Sequence, residues 1–299
     1  MDGLLIIDKP EGLTSHDVVA RVRRVLKTKR VGHTGTLDPF ATGVLVMLIG
    51  KATRLAQFLD KDEKEYEAVI QFGHETATGD RTGVRTAESG MRNEEIEALL
   101  YATGWEAVFD NFRGEIEQIP PMYSAKKQAG KKLYELARQG KEVERKPVQV
   151  IIRGLELIGD EHFRTPLSTI RIRVVCSAGT YIRTLAEGIG RRIGVGAHLA
   201  ELRRTRAGKF TIGQSMSLDS LGPSTIDLIA VEDAVSHLSP FVLSDERVEK
   251  TRNGLTTRIN GTAYLETEFV RMVDKNDNLI AVGIHESESS QIRPKIVLT

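Results

Sequence analysis

The pattern of apolar and polar residues along the chain predicts short strands and amphipathic helices. Residues 4–7 form an apolar run that ends at Asp8, which is typical of a short strand. Thr14 and Asp17 have the spacing of a capping box, and apolar residues then recur at helical spacing up to Leu26. The same patterns predict strands at 44–49, 66–72, 148–158 and 169–176, and helices at 94–101, 132–138, 181–193, 198–204 and 226–238.

The end of the chain has a different pattern, in which short apolar runs alternate with turn signals. The clearest turns are Asn253-Gly254, Asn260-Gly261 and residues 274–278. Pro240 follows the predicted helix at 226–238 and is a suitable domain edge. We therefore expect a large domain at 1–240 and a small β-rich domain at 241–299.

Residues 120–146 are predicted to be an insertion in the large domain. The segment is basic and contains Gly130 and Gly140 on either side of its helical stretch. Such a segment buries little apolar surface, so we expect it to be mobile until a ligand binds it.

The composition indicates a soluble globular protein, with 40% hydrophobic and 28% charged residues. No apolar run approaches the roughly 20 residues that span a bilayer, and the first residues lack the basic segment of a signal peptide. The single cysteine, Cys176, excludes an internal disulfide and a cysteine-rich metal site, and we expect it to be a buried thiol. These features point to the cytoplasm.

The formal net charge of +1 conceals a strong asymmetry along the chain. Residues 21–54 carry eight Lys or Arg against one acid, residues 126–146 eight against three, and residues 183–209 seven against two. Residues 60–117 carry fifteen acids against six bases. A single basic run is usually a solvated helix face, but three of them favour a surface that binds phosphates, and nucleic acid is the obvious partner.

The segment 32–45 is the strongest candidate for chemistry. It combines three glycines with His33 and Asp38, and Pro39 holds the aspartate out of helical geometry. On its own, an Asp-Pro pair beside glycine is most often a turn. The segment has neither the Gly-Lys-Ser/Thr of a Walker A motif nor the spacing of a dinucleotide fingerprint.

This segment closely resembles the signature loop of the TruB family, the tRNA pseudouridine-55 synthases. The chain departs from the family at Gly188, in the predicted helix at 181–193, where the family commonly carries an aspartate. A glycine inside a helix costs roughly 1 kcal/mol relative to alanine. Further stretches resemble family motifs in the family's order, at 8–10, 64–68, 76–80, 119–126, 134–138, 176–184 and 196–205.

The resemblance implies an α+β fold with a mixed, largely antiparallel sheet and flanking helices, followed by a small PUA-like RNA-binding domain. It also implies that uridine at position 55, in the T-loop of tRNA, is isomerised to pseudouridine. The insertion resembles the family's thumb loop, which closes over the T-arm. Because the reaction has no redox step and no external group donor, we expect no cofactor and no metal.

The family match assigns roles to individual residues. Asp38 acts at the ribose of a flipped-out uridine, either as a nucleophile or by removing a proton to give a glycal. Arg183 keeps that carboxylate charged, and Tyr66 stacks on the base and is a candidate to accept its C5 proton. Substrate contact or support of the site is assigned to His33, Lys9, Asp80, Tyr181, Lys126, Lys131 and Lys132.

Without the resemblance, these residues have plainer interpretations. Arg183 would be a phosphate contact or a surface ion pair, Tyr66 a core aromatic residue, and His33 a cap for the loop backbone.

Two alternative functions remain open from the sequence. One is a related synthase that depends on a guide RNA and protein partners; the thumb-like insertion and the short N-terminus favour a stand-alone enzyme, which we expect to be a monomer. The other is an RNA-binding or RNA-folding protein without essential catalysis. The combination of Asp38, Tyr66 and Arg183 favours an enzyme, because binding alone does not require it.

Overall fold

The computed structural model describes most of the chain. Its described residues are 1–124, 126–128, 130–141, 143–159, 163–164, 168–222, 224–259, 268–286 and 289–298. The predicted Asn260-Gly261 turn lies outside them.

The described residues form twenty strands, seven α-helices and three short 3-10 helices. The strands are β1 (Gly3–Lys9), β2 (Val31–Thr34), β3 (Thr42–Ile49), β4 (Lys64–Phe72), β5 (His74–Thr76), β6 (Arg85–Glu88), β7 (Gly114–Gln118), β8 (Lys127–Gln128), β9 (Lys131–Lys132), β10 (Val148–Leu157), β11 (Phe163–Arg164), β12 (Thr169–Cys176), β13 (Ala197–Ala207), β14 (Phe210–Thr211), β15 (Met216–Ser217), β16 (Ser239–Val242), β17 (Thr257–Arg258), β18 (Phe269–Val273), β19 (Leu279–Glu286) and β20 (Gln291–Val297). The helices are α1 (Ser15–Leu26), α2 (Ala56–Leu59), α3 (Asn93–Ala102), α4 (Trp105–Phe109), α5 (Leu133–Arg138), α6 (Ile182–Ile193) and α7 (Asp245–Arg252), and the 3-10 helices are Gly50–Leu55, Ile212–Gln214 and Val231–Val235.

A first sheet of eleven strands forms the centre of the molecule. Its main path runs β15-β1-β3-β13-β4-β12-β10-β7, and β2, β11 and β14 pair at its sides. The pairs β1–β15 and β3–β13 are parallel, and the other neighbours are antiparallel. The predicted α+β fold, with a mixed and largely antiparallel sheet, is confirmed.

Strand β4 shows how this sheet is stabilised. Its burial alternates residue by residue, so that one face enters the core and the other meets solvent. On the buried face, Tyr66 and Ile70 belong to a cluster that includes Leu185 and Ile189 of α6. Burying one such side chain stabilises the fold by about 1.5–3 kcal/mol. The helix α6 is thereby held against the middle of the sheet.

The first helix begins where the sequence predicts. The backbone N–H of Asp17 donates to Thr14 Oγ1 over 3.1 Å, and the backbone N–H of Thr14 donates to Asp17 Oδ2 over 2.8 Å. This is a complete capping box, which satisfies two donors at the helix N-terminus.

The predicted helix at 198–204 is wrong, because these residues lie in β13. The strand lies between β3 and β4 in the centre of the first sheet. Its register against β4 shifts between Leu199 and Glu201 and again between Arg204 and Arg206. A bulge adds one residue and breaks the two-residue alternation. Leu199 and Leu202 are therefore both buried although they are three residues apart, which imitates the spacing of a helix.

The predicted helix at 226–238 is also wrong over most of its length. Only Val231–Val235 form a helix, and it is of the 3-10 type. Ile229 instead exchanges two backbone hydrogen bonds with Leu4, each of 2.9 Å. Pairing with the edge of β1 thus overrides the helical pattern of apolar residues.

A second sheet of five strands contains the C-terminal part of the chain, in the order β16-β18-β19-β20-β17. It begins at Ser239, and α7 lies between its first two strands in sequence. The predicted turn at 274–278 joins β18 to β19, where Asp274 accepts hydrogen bonds from the backbone N–H groups of Asn276 and Asn278.

The two sheets share one buried apolar cluster. Val282 and Ile296 of the second sheet belong to the same cluster as Leu4 and Val46 of the first. The C-terminal sheet is therefore packed against the first sheet as well as connected to it by the chain.

Two further sequence expectations concern single features of the chain. None of the helices in the described ranges has the length and apolar character needed to cross a membrane. Cys176 is fully buried and unpaired, as predicted, and burial raises the pKa of its thiol to about 11.

Candidate active site

The loop that carries Asp38 joins two strands of the first sheet. Strands β2 and β3 pair antiparallel, and the loop between them turns at Gly35, whose φ of +66° favours glycine. The loop is tied to α1, because the backbone N–H of Leu37 donates to Ser15 Oγ over 2.9 Å. Asp38 is thus held on a loop with two fixed ends.

Gly43 explains why this loop can approach β13 so closely. Its φ is +100°, and a Cβ atom at this position would overlap the backbone carbonyl of Arg204. The parallel pairing of β3 with β13, in which Gly43 lies opposite Arg204, requires a residue without a side chain.

Asp38 forms an ion pair with Arg183. Arg183 Nε lies 3.0 Å from Asp38 Oδ2. The Arg183 side chain is only 5% exposed, and its Nη1 and Nη2 donate to the carbonyl oxygens of Thr78 and Tyr123, each over 2.8 Å. The guanidinium is therefore fixed by backbone groups on both sides, and its Nε is left for the carboxylate.

Asp80 is a second carboxylate beside the same guanidinium. Its Oδ2 lies 3.7 Å from Arg183 Nη1. Its Oδ1 accepts hydrogen bonds from Thr78 Oγ1 over 2.8 Å and from the backbone N–H of Thr82 over 2.9 Å. Asp80 is buried and satisfied by protein groups, so it supports Arg183 from behind.

The surroundings of Asp38 act on its charge in opposite directions. Burial raises the pKa of its carboxyl above the ordinary value for aspartate, while the charge of Arg183 lowers it. The side chain remains 34% exposed. The net effect is a raised pKa for a carboxyl group that is paired with a guanidinium and that a ligand can reach.

Two cavities are lined by both Asp38 and Arg183. The inner cavity, of ≈ 260 Å³, is lined by Gly35, Thr36, Leu37, Asp38, Asp60, Lys64, Tyr66, Ser124, Ala178, Gly179, Thr180, Tyr181, Ile182, Arg183, Leu202 and Arg204. The outer cavity, of ≈ 480 Å³, is lined by Thr14, Ser15, His16, Thr36, Leu37, Asp38, Pro39, Phe40, Thr78, Asp80, Thr82, Tyr123, Ser124, Tyr134, Arg138 and Arg183. A ligand could therefore reach the carboxylate from either cavity.

The two predicted tyrosines both line the inner cavity. Tyr66 is on the buried face of β4, and its burial raises the pKa of the phenol. Tyr181 directly precedes α6, and its backbone N–H donates to Gln118 Oε1 over 2.9 Å. An aromatic surface and a carboxylate thus share one cavity, which suits a planar base attached to a sugar.

Lys9 is fully buried beneath the loop of Asp38. Its Nζ donates to the carbonyl oxygens of Pro10, Leu13 and Pro39 over 2.8, 2.7 and 3.3 Å. Burial lowers the pKa of this amine to about 8. Lys9 therefore supports the loop from behind and is not among the residues that line either cavity.

His33, which the resemblance assigns to substrate contact, is not among the residues that line either cavity. It lies on β2, where its ring meets the ring of His16 edge to face at 5.7 Å. Burial lowers the pKa of His33 to about 4, so the ring is neutral at neutral pH. His16, and not His33, lines the outer cavity.

The insertion contributes to the outer cavity through residues that the sequence analysis did not single out. Tyr134 and Arg138 of α5 line it, and the Arg138 guanidinium lies 5.5 Å from the centre of the Tyr134 ring. Lys126 and Lys131 are exposed, and Lys126 lines a separate cavity. The Lys132 side chain lies outside the described part of the structure.

Two further buried residues of the inner cavity, Lys64 and Arg204, were also missed. Lys64 lies two residues before Tyr66 on β4, and Arg204 is opposite Tyr66 on β13. Both lie within stretches that resemble family motifs. The two-residue periodicity of β4 could have placed Lys64 on the same face as Tyr66.

No metal cluster is found in the ranges that the structure covers: no three or more His, Cys, Asp and Glu side chains are grouped to hold an ion.

Family models match most of the chain. Residues 23–182 match the model described as TruB family pseudouridylate synthase, N-terminal domain. Residues 183–244 match the model of the tRNA pseudouridylate synthase B C-terminal domain.

Curated relatives extend the match over almost the whole chain. A tRNA pseudouridine synthase B of Geobacillus thermodenitrificans (strain NG80-2) is 46% identical over 270 residues, which cover 87% of this chain and 86% of the relative. A protein of the same name from Bacillus cytotoxicus (strain DSM 22905) is 38% identical over 307 residues, covering 100% of this chain and 97% of the relative.

Solved structures share the fold. A chain of a Cbf5-Nop10-Gar1 complex superposes with a TM-score of 0.70 at 27% identity, covering 99% of this chain and 85% of that chain. A chain of an H/ACA RNP bound to a substrate RNA containing 2'-deoxyuridine superposes with a TM-score of 0.70 at 26% identity, with the same coverage of 99% and 85%.

Proposed function

The chain belongs to the TruB family of pseudouridylate synthases, and we propose that it modifies uridine at position 55, in the T-loop of tRNA. It is a tRNA pseudouridine synthase and therefore an isomerase, which converts uridine to pseudouridine. The observation that carries the site assignment is the ion pair between Asp38 and Arg183. Both of its residues line the inner and the outer cavity.

Asp38 is proposed to act at the ribose of the target uridine. The reaction breaks the bond between C1′ and N1, and the electron pair of that bond leaves with the base. The carboxylate can balance this change by bonding to C1′, or by accepting the C2′ proton so that a glycal forms. Both routes require an ionised Asp38, which is the form that Arg183 favours.

The inner cavity is proposed to hold the detached base. Tyr66 and Tyr181 line it beside Asp38, so the base can turn in contact with aromatic rings until C5 faces C1′. Bond formation at C5 then requires loss of the C5 proton, and Tyr66 is the candidate to accept it. Because the target base must leave its RNA stack to enter, the cavity implies base flipping.

The outer cavity and the insertion are proposed to hold the rest of the T-arm. Tyr134 can stack on a neighbouring base and Arg138 can contact a phosphate, since both line the outer cavity. Lys126 and Lys131 are proposed to neutralise phosphates further along the arm. Residues 241–299 are proposed to form a PUA-like RNA-binding domain beside a catalytic domain at 1–240.

The enzyme is proposed to work as a cytoplasmic monomer without an obligatory protein partner. The Cbf5 chain that shares the fold was solved with Nop10 and Gar1, so a partner-dependent synthase is the rival. Two observations support the stand-alone enzyme. The chain matches the two bacterial relatives over 86% and 97% of their own length, and it carries the thumb-like insertion.

The assignment is tested with the purified protein and one tRNA transcript labelled with tritium at C5 of uridine. We expect tritium release without any added RNA or protein, and no release from a transcript that carries cytidine at position 55. Release from the cytidine transcript would overturn the assigned position. A requirement for a guide RNA would support the partner-dependent rival.

A further inference from the structure

The buried charges around Asp38 do not balance. Among the described residues, the buried charged side chains are four cations and one carboxylate: Lys9, Lys64, Arg183, Arg204 and Asp80. Asp38 adds a second, partly exposed carboxylate. The fully buried cations thus outnumber the buried carboxylates, and such an excess is unfavourable unless a ligand brings negative charge.

Arg183 and Lys9 have partners that account for their positions. Arg183 is paired with Asp38 and Asp80. Lys9 is directed toward three carbonyl oxygens of the loop and α1 region and lines neither cavity. The two remaining cations, Lys64 and Arg204, both line the inner cavity.

Lys64 and Arg204 are neighbours beneath Gly35. A Cβ atom built on Gly35 would lie 3.2 Å from Arg204 Nη1 and 3.5 Å from Lys64 Cε. Lys64 is 4% exposed to solvent and Arg204 is 1% exposed. Two like charges are therefore held side by side under the loop of Asp38.

Neither cation has a carboxylate oxygen within 4.0 Å among the described residues, although Asp62 and Asp60 lie near enough to raise the pKa of Lys64. Lys64 Nζ donates to the carbonyl oxygens of Asp62 and Leu59 over 2.6 and 3.4 Å. Arg204 donates from Nε to Val44 O over 2.7 Å and from Nη2 to Gly35 O over 2.9 Å. Carbonyl groups fix the two side chains in place, and no directly paired carboxylate of the described residues neutralises them.

We propose that Lys64 and Arg204 are catalytic residues that stabilise the negative charge on the uracil when its glycosidic bond breaks. The inference deepens the proposed function and rests on it. When the C1′–N1 bond breaks, its electron pair stays on N1 and is delocalised onto O2 and O4 of the uracil anion. At the same moment C1′ either bonds to Asp38 or becomes part of a glycal, so no other co-reactant is needed.

Buried cations that are fixed in advance are the arrangement that stabilises such a developing charge. The environment of Lys64 fits this role. Burial lowers the pKa of its amine to about 8, and the charge of Arg204 acts in the same direction, whereas Asp62 and Asp60 oppose it. An anion in the inner cavity would relieve this repulsion. The free enzyme is thus electrostatically strained in a way that the broken substrate removes.

The test compares Lys64→Met with Lys64→Arg, which keeps the positive charge. The control is Lys61→Met, because Lys61 is an exposed lysine in the turn before β4. The measurement is a single-turnover rate, followed as disappearance of the N-linked target nucleoside, together with the Kd for tRNA. We expect Lys64→Met to lower the rate about 100-fold at an unchanged Kd. Lys64→Arg should recover most of the rate, and Lys61→Met should match the wild type.

A second substrate separates charge stabilisation from a structural role. A tRNA with 5-fluorouridine at the target position has a more acidic base, whose anion needs less help. We expect the defect of Lys64→Met to be clearly smaller on this substrate than on uridine.

A wild-type rate in Lys64→Met, or an equal defect on both substrates, would overturn the inference while leaving the proposed function standing. An inactive wild-type protein would instead remove the proposed function itself.

Discussion

At the scale of single residues, the site is built around a carboxylate and a guanidinium that are far apart in sequence. Asp38 comes from the loop between β2 and β3, and Arg183 from the first turn of α6, yet Nε and Oδ2 are 3.0 Å apart. The carbonyl groups of Thr78 and Tyr123 orient the guanidinium before any ligand arrives. The ion pair is therefore built by the fold and does not depend on substrate.

Replacing Arg183 by glutamine should change the pH dependence of the reaction. Burial raises the pKa of Asp38 and Arg183 opposes this rise, so removal of the guanidinium should raise the pKa further. Because the ionised carboxylate is the active form, the rate should then be lost at a higher pH as the solution is acidified. Single-turnover rates measured across the acidic range check this, and an acid limb at the wild-type pH would contradict it.

The residues of the site were only partly accessible to prediction. Asp38, Tyr66 and Arg183 lie within recognisable motifs, and the structure brings them to one cavity. Lys64 and Arg204 lie in motifs too, but a lysine or arginine in a stretch rich in charged residues is usually assumed to face solvent. The alternation along β4 places Lys64 on the face of Tyr66, whereas the burial of Arg204 follows from the bulged register of β13, which no local pattern reveals.

At the scale of elements, prediction succeeded where one local signal decides the structure. The capping box fixes the start of α1, and the regular alternation of β4 follows from one buried face. Prediction failed for β13, because its bulges place buried residues at helical spacing. It failed for residues 226–238 because pairing of Ile229 with Leu4 decides the local structure.

The insertion should make RNA affinity depend on salt. Lys126 and Lys131 are exposed and lie outside both cavities, so their proposed role is to neutralise phosphates. Changing both to alanine should weaken tRNA binding and reduce the slope of log K against log salt by about one for each lysine. The slope is measured by titration at several salt concentrations. The single-turnover rate at saturating enzyme should stay unchanged, and an unaltered slope would remove the lysines from the RNA interface.

At the scale of the whole molecule, the two sheets share one buried apolar cluster. Val282 and Ile296 of the second sheet pack into the cluster that holds Leu4 and Val46 of the first. The C-terminal residues, for which an RNA-binding role is proposed, therefore also contribute to the packing of the first sheet. This coupling is invisible in the sequence, where the turn-rich C-terminus reads as a separate domain.

Removal of residues 239–299 should consequently destabilise the first sheet. The truncation uncovers apolar side chains that are buried in the complete chain, and exposed apolar area lowers the free energy of unfolding. Thermal unfolding, followed by circular dichroism, should show a lower Tm than for the full chain. A truncated protein with the Tm of the full chain would show that the shared cluster contributes little.

The central claim, that Asp38 performs the chemistry, is tested most directly by Asp38→Asn. The variant keeps the shape of the side chain but cannot act as a nucleophile or a base at the ribose. We predict that it releases no tritium from tRNA labelled at uridine C5 and binds tRNA with a nearly unchanged Kd. The control is Asp110→Asn, at an exposed position, which should behave as the wild type. Tritium release by Asp38→Asn at the wild-type rate would contradict the account.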